Sequence, residues 1–239
     1  MALGERLVDA LFARGTVAEV DFAAARVRAI RLRVGADLAW RPGQQVRVHV
    51  NDLLSGLRKP FDILRTYSVW DYDGVHLDLR VLDHGDGPGA GWARALSAGD
   101  EVVFGKPEGG FVVRPEAGLH LFVGEETALG AFGPMTRAVA DASPGVPCHS
   151  VVEVAGPDDR LPLEGDVTWL YRGQAPAYDS ATLAEAVAGL DLPPDNAHAY
   201  LAGEAKTCQS VKKALLAKGW ARRSIHVKPF WTPGKRGMD

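Results

Sequence analysis

The stretch 114–130, RPEAGLHLFVGEETALG, is where the pattern of the sequence changes. Its apolar run, Leu119–Val123, leads through a Gly-Glu-Glu-Thr turn into an Ala-rich segment that predicts a helix up to about Val139. A buried run followed at once by a helix is typical of a parallel sheet, in which each strand returns through a helix on the face of the sheet. The stretch therefore predicts that an α/β domain begins at residue 117.

Apolar runs and helical segments continue to alternate after this stretch. Further strands are predicted at 149–154, 167–171 and 199–202, and helices at 180–189 and 207–218. Ser180 suits the N-cap of the first of these helices, and Gly219 suits the C-cap of the second. We therefore assign residues 117–239 to a doubly wound α/β domain with a parallel sheet and a C-terminal tail.

Short strands separated by turns precede the same stretch. They are predicted at 16–22, 26–34, 45–50, 66–70, 75–82 and 101–105, with turn signals such as Arg41-Pro42-Gly43 between them. A short helix near 91–96 interrupts the pattern. About six short strands at this spacing predict a closed, six-stranded antiparallel β-barrel, which we assign to residues 1–116. The fold class is thus a two-domain one, a barrel followed by an α/β domain.

The bulk composition is that of an ordinary globular protein and excludes several classes. The net charge of −3 argues against a nucleic-acid partner, because phosphate binding needs a concentrated basic face. Cys148 and Cys208 form no CxxC pair and the seven histidines are scattered, so neither a disulfide scaffold nor a metal site is predicted. No apolar run approaches membrane-spanning length and the start does not resemble a signal peptide. We expect a cytoplasmic protein without membrane insertion.

The first segment with candidate chemistry is 65–69, RTYSV, on a predicted barrel strand. Alternation places Arg65, Tyr67 and Val69 on one face of that strand. An arginine can clamp a diphosphate with two hydrogen bonds, and a tyrosine ring can lie against a planar heteroaromatic system. The segment therefore indicates a nucleotide-type ligand, although an exposed strand without a ligand could carry the same residues.

The second segment is 81–93, VLDHGDGPGAGWA. Its small residues let the backbone approach a ligand closely, and the helix that follows would aim free N–H groups at it. Gly85, Gly87 and Ala90 satisfy the GxGxxG/A spacing of a Rossmann site. We reject that interpretation because the helix is too short for a crossover and a barrel-like strand follows directly. The segment predicts a diphosphate bound at the start of the helix. The alternative is a plain Gly-rich turn without a ligand.

The third segment is 124–130, GEETALG, directly after the first strand of the α/β domain. Ligands of open α/β sheets bind at the carboxyl ends of the strands. Thr127 would begin the helix and face the ligand. The alternative is a capping turn without a ligand.

Taken together, these segments resemble the siderophore-interacting proteins, a branch of the ferredoxin-NADP reductase superfamily. Motifs of that family occur in order over nearly the whole chain, as PGQ at 42–44, RTYS at 65–68, LDHG at 82–85, GPGAGWA at 87–93, GEETAL at 124–129, WLYR at 169–172, AGEA at 202–205 and FWTPG at 230–234. The sequence departs from the family pattern at Trp70, where arginine is common, at Glu125, which replaces aspartate, and at Gly130, which replaces proline.

The resemblance implies FAD held by the barrel, a nicotinamide donor on the second domain, and the flavin in the crevice between the two. The FAD contacts that it implies are Arg65, Tyr67, Ser68, Val69, Asp83, His84, Gly89, Ala90, Gly91, Trp92, Ala93, Thr127, Ala128 and Trp231. Candidates for NAD(P)H are Glu125, Arg172, Glu204 and Lys206. Arg172 and Lys206 could grip a 2′-phosphate, which slightly favours NADPH over NADH, or could form surface salt bridges.

The activity that the resemblance implies is reduction of ferric siderophores inside the cell. Iron(III) accepts one electron whereas a nicotinamide gives a hydride, and a flavin can divide the pair. No catalytic acid, base or triad is predicted. Anionic chelates could dock on cations at Lys228, Lys235 and Arg236, with Arg58 and Lys59, although a solvated basic tail is an equal alternative. We expect a monomer. The alternatives are a related flavin or electron-carrier reductase and a redox-silent siderophore-binding protein.

Overall fold

The structure is a computed structural model that describes residues 12–35, 37–50, 64–85 and 87–235. The chain divides into two units, Met1–Gly110 and Phe111–Asp239. The segment that opens the second unit is attached through Tyr200. Phe111 packs edge-on against the Tyr200 ring with the centroids 6.1 Å apart, and the Arg114 N–H donates to the Tyr200 hydroxyl at 2.9 Å.

The first unit is the closed antiparallel barrel that the sequence predicts. Its strands close in the order β1-β2-β5-β4-β3-β6, and they are β1 (Phe12–Ala24), β2 (Val27–Val34), β3 (Gln45–His49), β4 (Leu64–Tyr72), β5 (His76–Leu82) and β6 (Glu101–Gly105). Alternation produces the core, as in β5, where Leu77, Leu79 and Val81 are buried and the residues between them are not.

Strand β4 breaks its alternation at Trp70. Val69 pairs with Leu79 and Asp71 pairs with Asp78, so Trp70 is an extra residue in the register. Val69 and Trp70 are consequently both buried, and the Arg80 guanidinium lies over the Trp70 ring at 4.9 Å from its centroid. The predicted alternation of β4 therefore ends at Val69.

Helix α1 (Pro88–Ala95) joins β5 to β6 and begins with proline at its first turn. β6 then pairs antiparallel with β1, as in Phe12 with Gly105. A helix of eight residues that leads into an antiparallel strand is not a Rossmann crossover. The rejection of a Rossmann site at Gly85–Ala90 is thus confirmed.

The second unit is a five-stranded parallel sheet in the order β11-β10-β7-β8-β9. Its strands are β7 (Leu119–Glu125), β8 (Cys148–Val154), β9 (Asp166–Tyr171), β10 (Ala197–Glu204) and β11 (Ile225–Trp231), and its helices are α2 (Leu129–Ala142), α3 (Ala181–Gly189) and α4 (Ala205–Ala217). The Ser180 hydroxyl accepts from the Leu183 N–H at 3.1 Å, which confirms Ser180 as the N-cap of α3. Within the described ranges, no helix has the length and apolar character needed to cross a bilayer.

Strand β11 corrects the interpretation of the last residues as a basic tail. Residues 225–231 pair in parallel with β10, with Lys228 opposite Ala202 and Pro229 opposite Gly203. The lysine and the proline within residues 225–231 interrupt the apolar pattern, so the sequence did not predict this strand. A proline is compatible with an edge strand, because the N–H that it lacks can belong to the unpaired side.

The carboxyl ends of β7 and β10 form the topological switch point of the sheet. From β7 the chain passes through α2 to β8 and on to β9, and it returns to β10 on the other side of β7. In open α/β sheets this reversal opens a crevice in which ligands bind. Gly124 lets the strands approach there, because a Cβ at this residue would overlap the Ala202 carbonyl oxygen and lie 2.7 Å from the Ala128 Cβ.

We predict that Gly124→Ala destabilises the second unit by about 1–3 kcal/mol, because the added methyl has no space between β7, β10 and the turn. Urea unfolding followed by circular dichroism measures the change. The matched control is Gly156→Ala, in the loop after β8, where a Cβ would meet no atom within 4 Å. An equal loss of stability in the two variants would contradict the packing argument.

Candidate functional site

Strand β4 and helix α1 meet at the Tyr67 side chain. The Tyr67 ring stacks on Trp92 with the centroids 5.6 Å apart and an interplanar angle of 19°. A Cβ at Gly89 would overlap the Tyr67 hydroxyl and lie 3.4 Å from Cγ of Arg65. Burial raises the pKa of Tyr67 well above its usual range, against a smaller opposing effect of Arg65, so the phenol is neutral. The structure thus brings together residues from two separate motifs.

The start of α1 offers backbone donors beside this cluster. Its N-cap is Gly87, and among the described residues no side chain caps the first turn with a hydrogen bond. N–H groups at a helix start without a capping side chain can bind a phosphate, and the helix dipole favours the negative charge. The diphosphate of FAD fits this arrangement, with Arg65 as the adjacent cation.

Asp83 holds the turn before α1 through an ion pair with Arg94. Arg94 donates to the Asp83 carboxylate at 2.5 Å and to the Gly85 carbonyl at 3.1 Å. The Arg28 Nε lies 3.9 Å from the same carboxylate. Asp83 therefore shapes the turn, and His84 is the residue of the pair that is exposed.

Several predicted FAD contacts have side chains in the protein interior. Val69, Ala90, Ala93 and Ala128 are at most 2% exposed. The Val69 N–H also donates to the Gln44 carbonyl at 3.0 Å. Any contact of these residues with a ligand would be made by the backbone. Ser68 and Gly91, by contrast, are half-buried, and a Cβ at Gly91 would meet no atom within 4 Å.

Glu125 is a buried carboxyl group at the carboxyl end of β7, only 1% exposed. It accepts hydrogen bonds from the Thr127 N–H at 2.9 Å, from the Thr127 hydroxyl, and from the Trp231 indole N–H at 2.9 Å. Gly203, at φ +120°, makes room for it, because a Cβ there would lie 2.7 Å from Oε1 of Glu125. Burial raises the pKa of Glu125 to about 7, against the hydrogen bonds from Thr127 and Trp231.

Thr127 does not begin the α-helix, as the sequence led us to expect. It lies in a single 3₁₀ turn, Glu126–Ala128, and α2 begins at Leu129. The Glu125 carboxylate caps this turn, so the turn and the strand end are held by one group.

Arg172 is buried in an ion pair with Glu126. Two of its guanidinium nitrogens donate to that carboxylate, and its Nε donates to the Ala175 carbonyl at 3.1 Å. A 2′-phosphate at Arg172 would have to compete with Glu126. Sequence analysis did not select Glu126 as a functional residue. The only available signal was its position next to Glu125, in the segment already selected.

Glu204 and Lys206 lie at the start of α4. Glu204 accepts from the N–H groups of Lys206 and Thr207, each at 2.8 Å, and of Asp179 at 3.1 Å. Burial acts to raise the pKa of Glu204, but these backbone hydrogen bonds outweigh it and the net shift is downward. Lys206 pairs with Asp179 at 2.6 Å on the exposed surface. Glu204 is therefore the cap of α4.

Cys208, which sequence analysis left without a role, lies near the same two carboxyl groups. Burial, with the charges of Glu125 and Glu204, raises the pKa of its thiol to about 12. Burial likewise raises the pKa of Cys148, at the other end of the sheet, to about 11. In the ranges that the structure describes, no group of three or more His, Cys, Asp or Glu side chains is arranged to hold a metal ion.

Of the predicted docking cations, Lys228 lies half-buried on β11 and Lys235 is exposed in the turn after it. Arg236, Arg58 and Lys59 lie outside the described residues.

Comparisons with known proteins agree with the motif order. A family model described as siderophore-interacting protein matches residues 117–234, and one described as siderophore-interacting FAD-binding domain matches residues 45–111. An uncharacterised protein of Mycobacterium tuberculosis strain H37Rv is 28% identical over 200 residues, which are 78% of this chain and 69% of the relative. The NADPH-dependent ferric-chelate reductase of Escherichia coli K12 is 22% identical over 166 residues, 67% of this chain and 63% of that protein.

Among solved structures, a siderophore utilization protein from T. fusca superposes with a TM-score of 0.82 and 23% identity, over 95% of both chains. That likeness shows the two-domain fold, a barrel followed by a parallel α/β sheet. With the family models covering most of both units, the chain belongs to the siderophore-interacting protein family.

Proposed function

We propose that the protein is a flavin-dependent reductase that passes electrons from a nicotinamide donor to ferric siderophores. The observation that carries the proposal is the meeting of Arg65 and Tyr67 with the start of α1, inside the unit that matches an FAD-binding domain. A guanidinium, a stacked aromatic ring and uncapped helix N–H groups are the parts that a dinucleotide flavin requires.

In this proposal, Arg65 and the first turn of α1 hold the diphosphate of FAD, and Tyr67 offers its ring to the flavin. Trp92 and Gly89 keep the Tyr67 ring in place. FAD, when bound, supplies the chemistry of accepting a hydride and releasing single electrons. Asp83 and Arg94 keep the preceding turn closed against the helix.

The donor would bind at the switch point formed by β7 and β10. Thr127, Glu125 and Trp231 lie there together and would border the nicotinamide. Because Glu126 neutralises Arg172, this arginine gives no reason to favour NADPH over NADH, and both are proposed as donors.

Support for a ferric chelate as the acceptor comes from the family and from the similarity to the ferric-chelate reductase of Escherichia coli. Lys228 and Lys235, on and just after β11, are the described cations proposed for docking an anionic chelate. The cytoplasmic location and the monomeric state stay predictions.

The decisive experiment is anaerobic stopped-flow spectroscopy of the FAD-loaded protein, with NADPH, NADH and reduced ferredoxin tried as donors. We expect a nicotinamide donor to bleach the flavin and a ferric siderophore to restore its colour. A flavin that no donor bleaches would contradict the reductase and favour a redox-silent binding protein. Faster reoxidation by free flavin or by an electron carrier than by ferric chelates would identify a different reductase of the superfamily.

Arg65→Ala tests the flavin site directly. Hydrogen bonds to charged groups contribute about 1.5–3 kcal/mol each, so we expect a dissociation constant for FAD about tenfold to a hundredfold higher. Titration of flavin-free protein, followed by quenching of FAD fluorescence, measures it. Arg33→Ala, which removes the same charge from an exposed position on β2, is the control. Unchanged FAD affinity in Arg65→Ala would remove this residue from the site.

Lys235→Glu tests the docking surface. We expect the KM for an anionic ferric chelate to rise about two- to fivefold, as for an exposed ion pair, and the difference to fade at high salt. Steady-state kinetics with an anionic and a neutral chelate measure the effect, and the neutral chelate should be unaffected. Lys213→Glu, exposed on α4, is the matched control. An equal change in both variants would indicate a general charge effect instead of docking.

A further inference from the structure

Glu125 occupies the switch point itself. It is the last residue of β7, and its side chain reaches across to Gly203 of β10 and to Trp231 at the end of β11. The switch point, where an open α/β sheet binds its ligand, thus carries the buried carboxyl group of Glu125, with that of Glu204 at the end of the adjacent strand.

The hydrogen bonds around Glu125 favour its ionised form. The Thr127 backbone N–H and the Trp231 indole N–H can only donate, so among these three partners only the Thr127 hydroxyl could accept a hydrogen bond from a protonated Glu125. Burial opposes ionisation, and the balance leaves the pKa near neutrality, at about 7.

Among the residues that the structure describes, the other charged and titratable groups near Glu125 are an ion-paired carboxylate, a thiol and a second carboxylate. Glu126 is paired with Arg172. The negative charge of Glu126 adds to the upward shift in the pKa of Glu125. Cys208 on α4 is a protonated thiol, and Glu204 beside it is an anionic helix cap. A positive charge that arrives in the crevice would therefore meet an excess of carboxylate.

We propose that Glu125 is a positioning residue of the donor site whose carboxylate, held by Thr127 and Trp231, stabilises the positively charged nicotinamide ring. This inference rests on the proposed function. The reduced donor gives up a hydride, one hydrogen with both electrons of its C–H bond, to the flavin. The ring left behind is a pyridinium with one positive charge, and no proton moves. The carboxylate therefore favours the product of the donor step over the neutral ring that precedes it.

Linkage gives this proposal a measurable signature. A cation within about 4–6 Å lowers the pKa of a carboxyl group by about 1–3 units. By reciprocity, ionised Glu125 binds the oxidised ring more tightly by the same factor, about tenfold at the lower end. Since the pKa of Glu125 is about 7 and the cation would lower it, the preference for the oxidised ring should grow as the pH rises from the lowered pKa to about 7 and level off above it.

The experiment is equilibrium titration of the FAD-loaded protein at pH values from about 5.5 to 8.5, read from the flavin difference spectrum. The ligands are NAD⁺ and NADP⁺ and their 1,4,5,6-tetrahydro forms, which have a neutral ring and cannot deliver a hydride. Both forms carry the same phosphates. The pH dependence that these phosphates cause therefore drops out of the ratio of the dissociation constants for the oxidised and the tetrahydro form. We expect this ratio to favour the oxidised form by about tenfold more at the highest pH than at the lowest.

Three variants separate this effect from a structural one. Glu125→Gln should give a ratio that does not depend on pH. Glu153→Gln, which alters the register partner of Glu125 on β8, should keep the wild-type profile. Trp231→Phe should move the midpoint of the profile to higher pH, because it removes a hydrogen bond that lowers the pKa of Glu125. This last variant serves even if Glu125→Gln fails to fold.

The outcomes distinguish the inference from the function on which it rests. Binding of both ring forms with a pH-independent ratio in the wild-type protein would overturn the role of Glu125 and leave the reductase standing. The same holds for a midpoint that Trp231→Phe does not move. If neither dinucleotide binds in either form, the nicotinamide donor of the proposed function fails.

Discussion

A carboxylate taken out of water must find donors among its neighbours, and the carboxyl edge of the parallel sheet is organised by that requirement. Glu125, Glu153 and Glu204 lie at the ends of three adjacent strands, and all are buried. Each organises a different element. Glu125 caps the turn before α2, Glu153 accepts from the Ser180 hydroxyl at 2.6 Å where α3 begins, and Glu204 caps α4.

The three carboxyl groups differ in the groups that engage them. Backbone N–H groups already engage Glu204, and the Ser180 hydroxyl engages Glu153. At Glu125, by contrast, burial outweighs the hydrogen bonds and raises the pKa to about 7. In the barrel, packing instead of hydrogen bonding fixes the candidate site. The Tyr67 ring stacks on Trp92, and Gly89 leaves room for the Tyr67 hydroxyl at the start of α1.

Most of the architecture could be predicted from the sequence because periodicity and turn residues are local properties. The alternation in β5, the proline at the start of α1 and the Ser180 cap were all predicted from a few adjacent residues. β11 was missed because an edge strand pairs on one side only, so its lysine and proline were tolerated there and resembled a tail.

The candidate site was predictable as a set of motifs but not as a set of contacts. The ion pair between Arg172 and Glu126 joins the residues that directly follow β9 and β7, two strands that are not neighbours in the sheet, and no spacing in the sequence predicts it. The packing of Tyr67 against Gly89 is likewise a property of how β4 meets α1. Burial of Ala90 and Ala93 follows from which face of the short helix meets the barrel core.

The burial of the two thiols has a consequence for chemical durability. Peroxide and disulfide exchange attack the thiolate form of cysteine, and its population falls tenfold for each unit by which the pKa exceeds the pH. With thiol pKa values of about 11 and 12, Cys148 and Cys208 stay almost wholly protonated at neutral pH. Cysteines kept in this protonated form react slowly with peroxide, which limits their conversion to sulfenic acid.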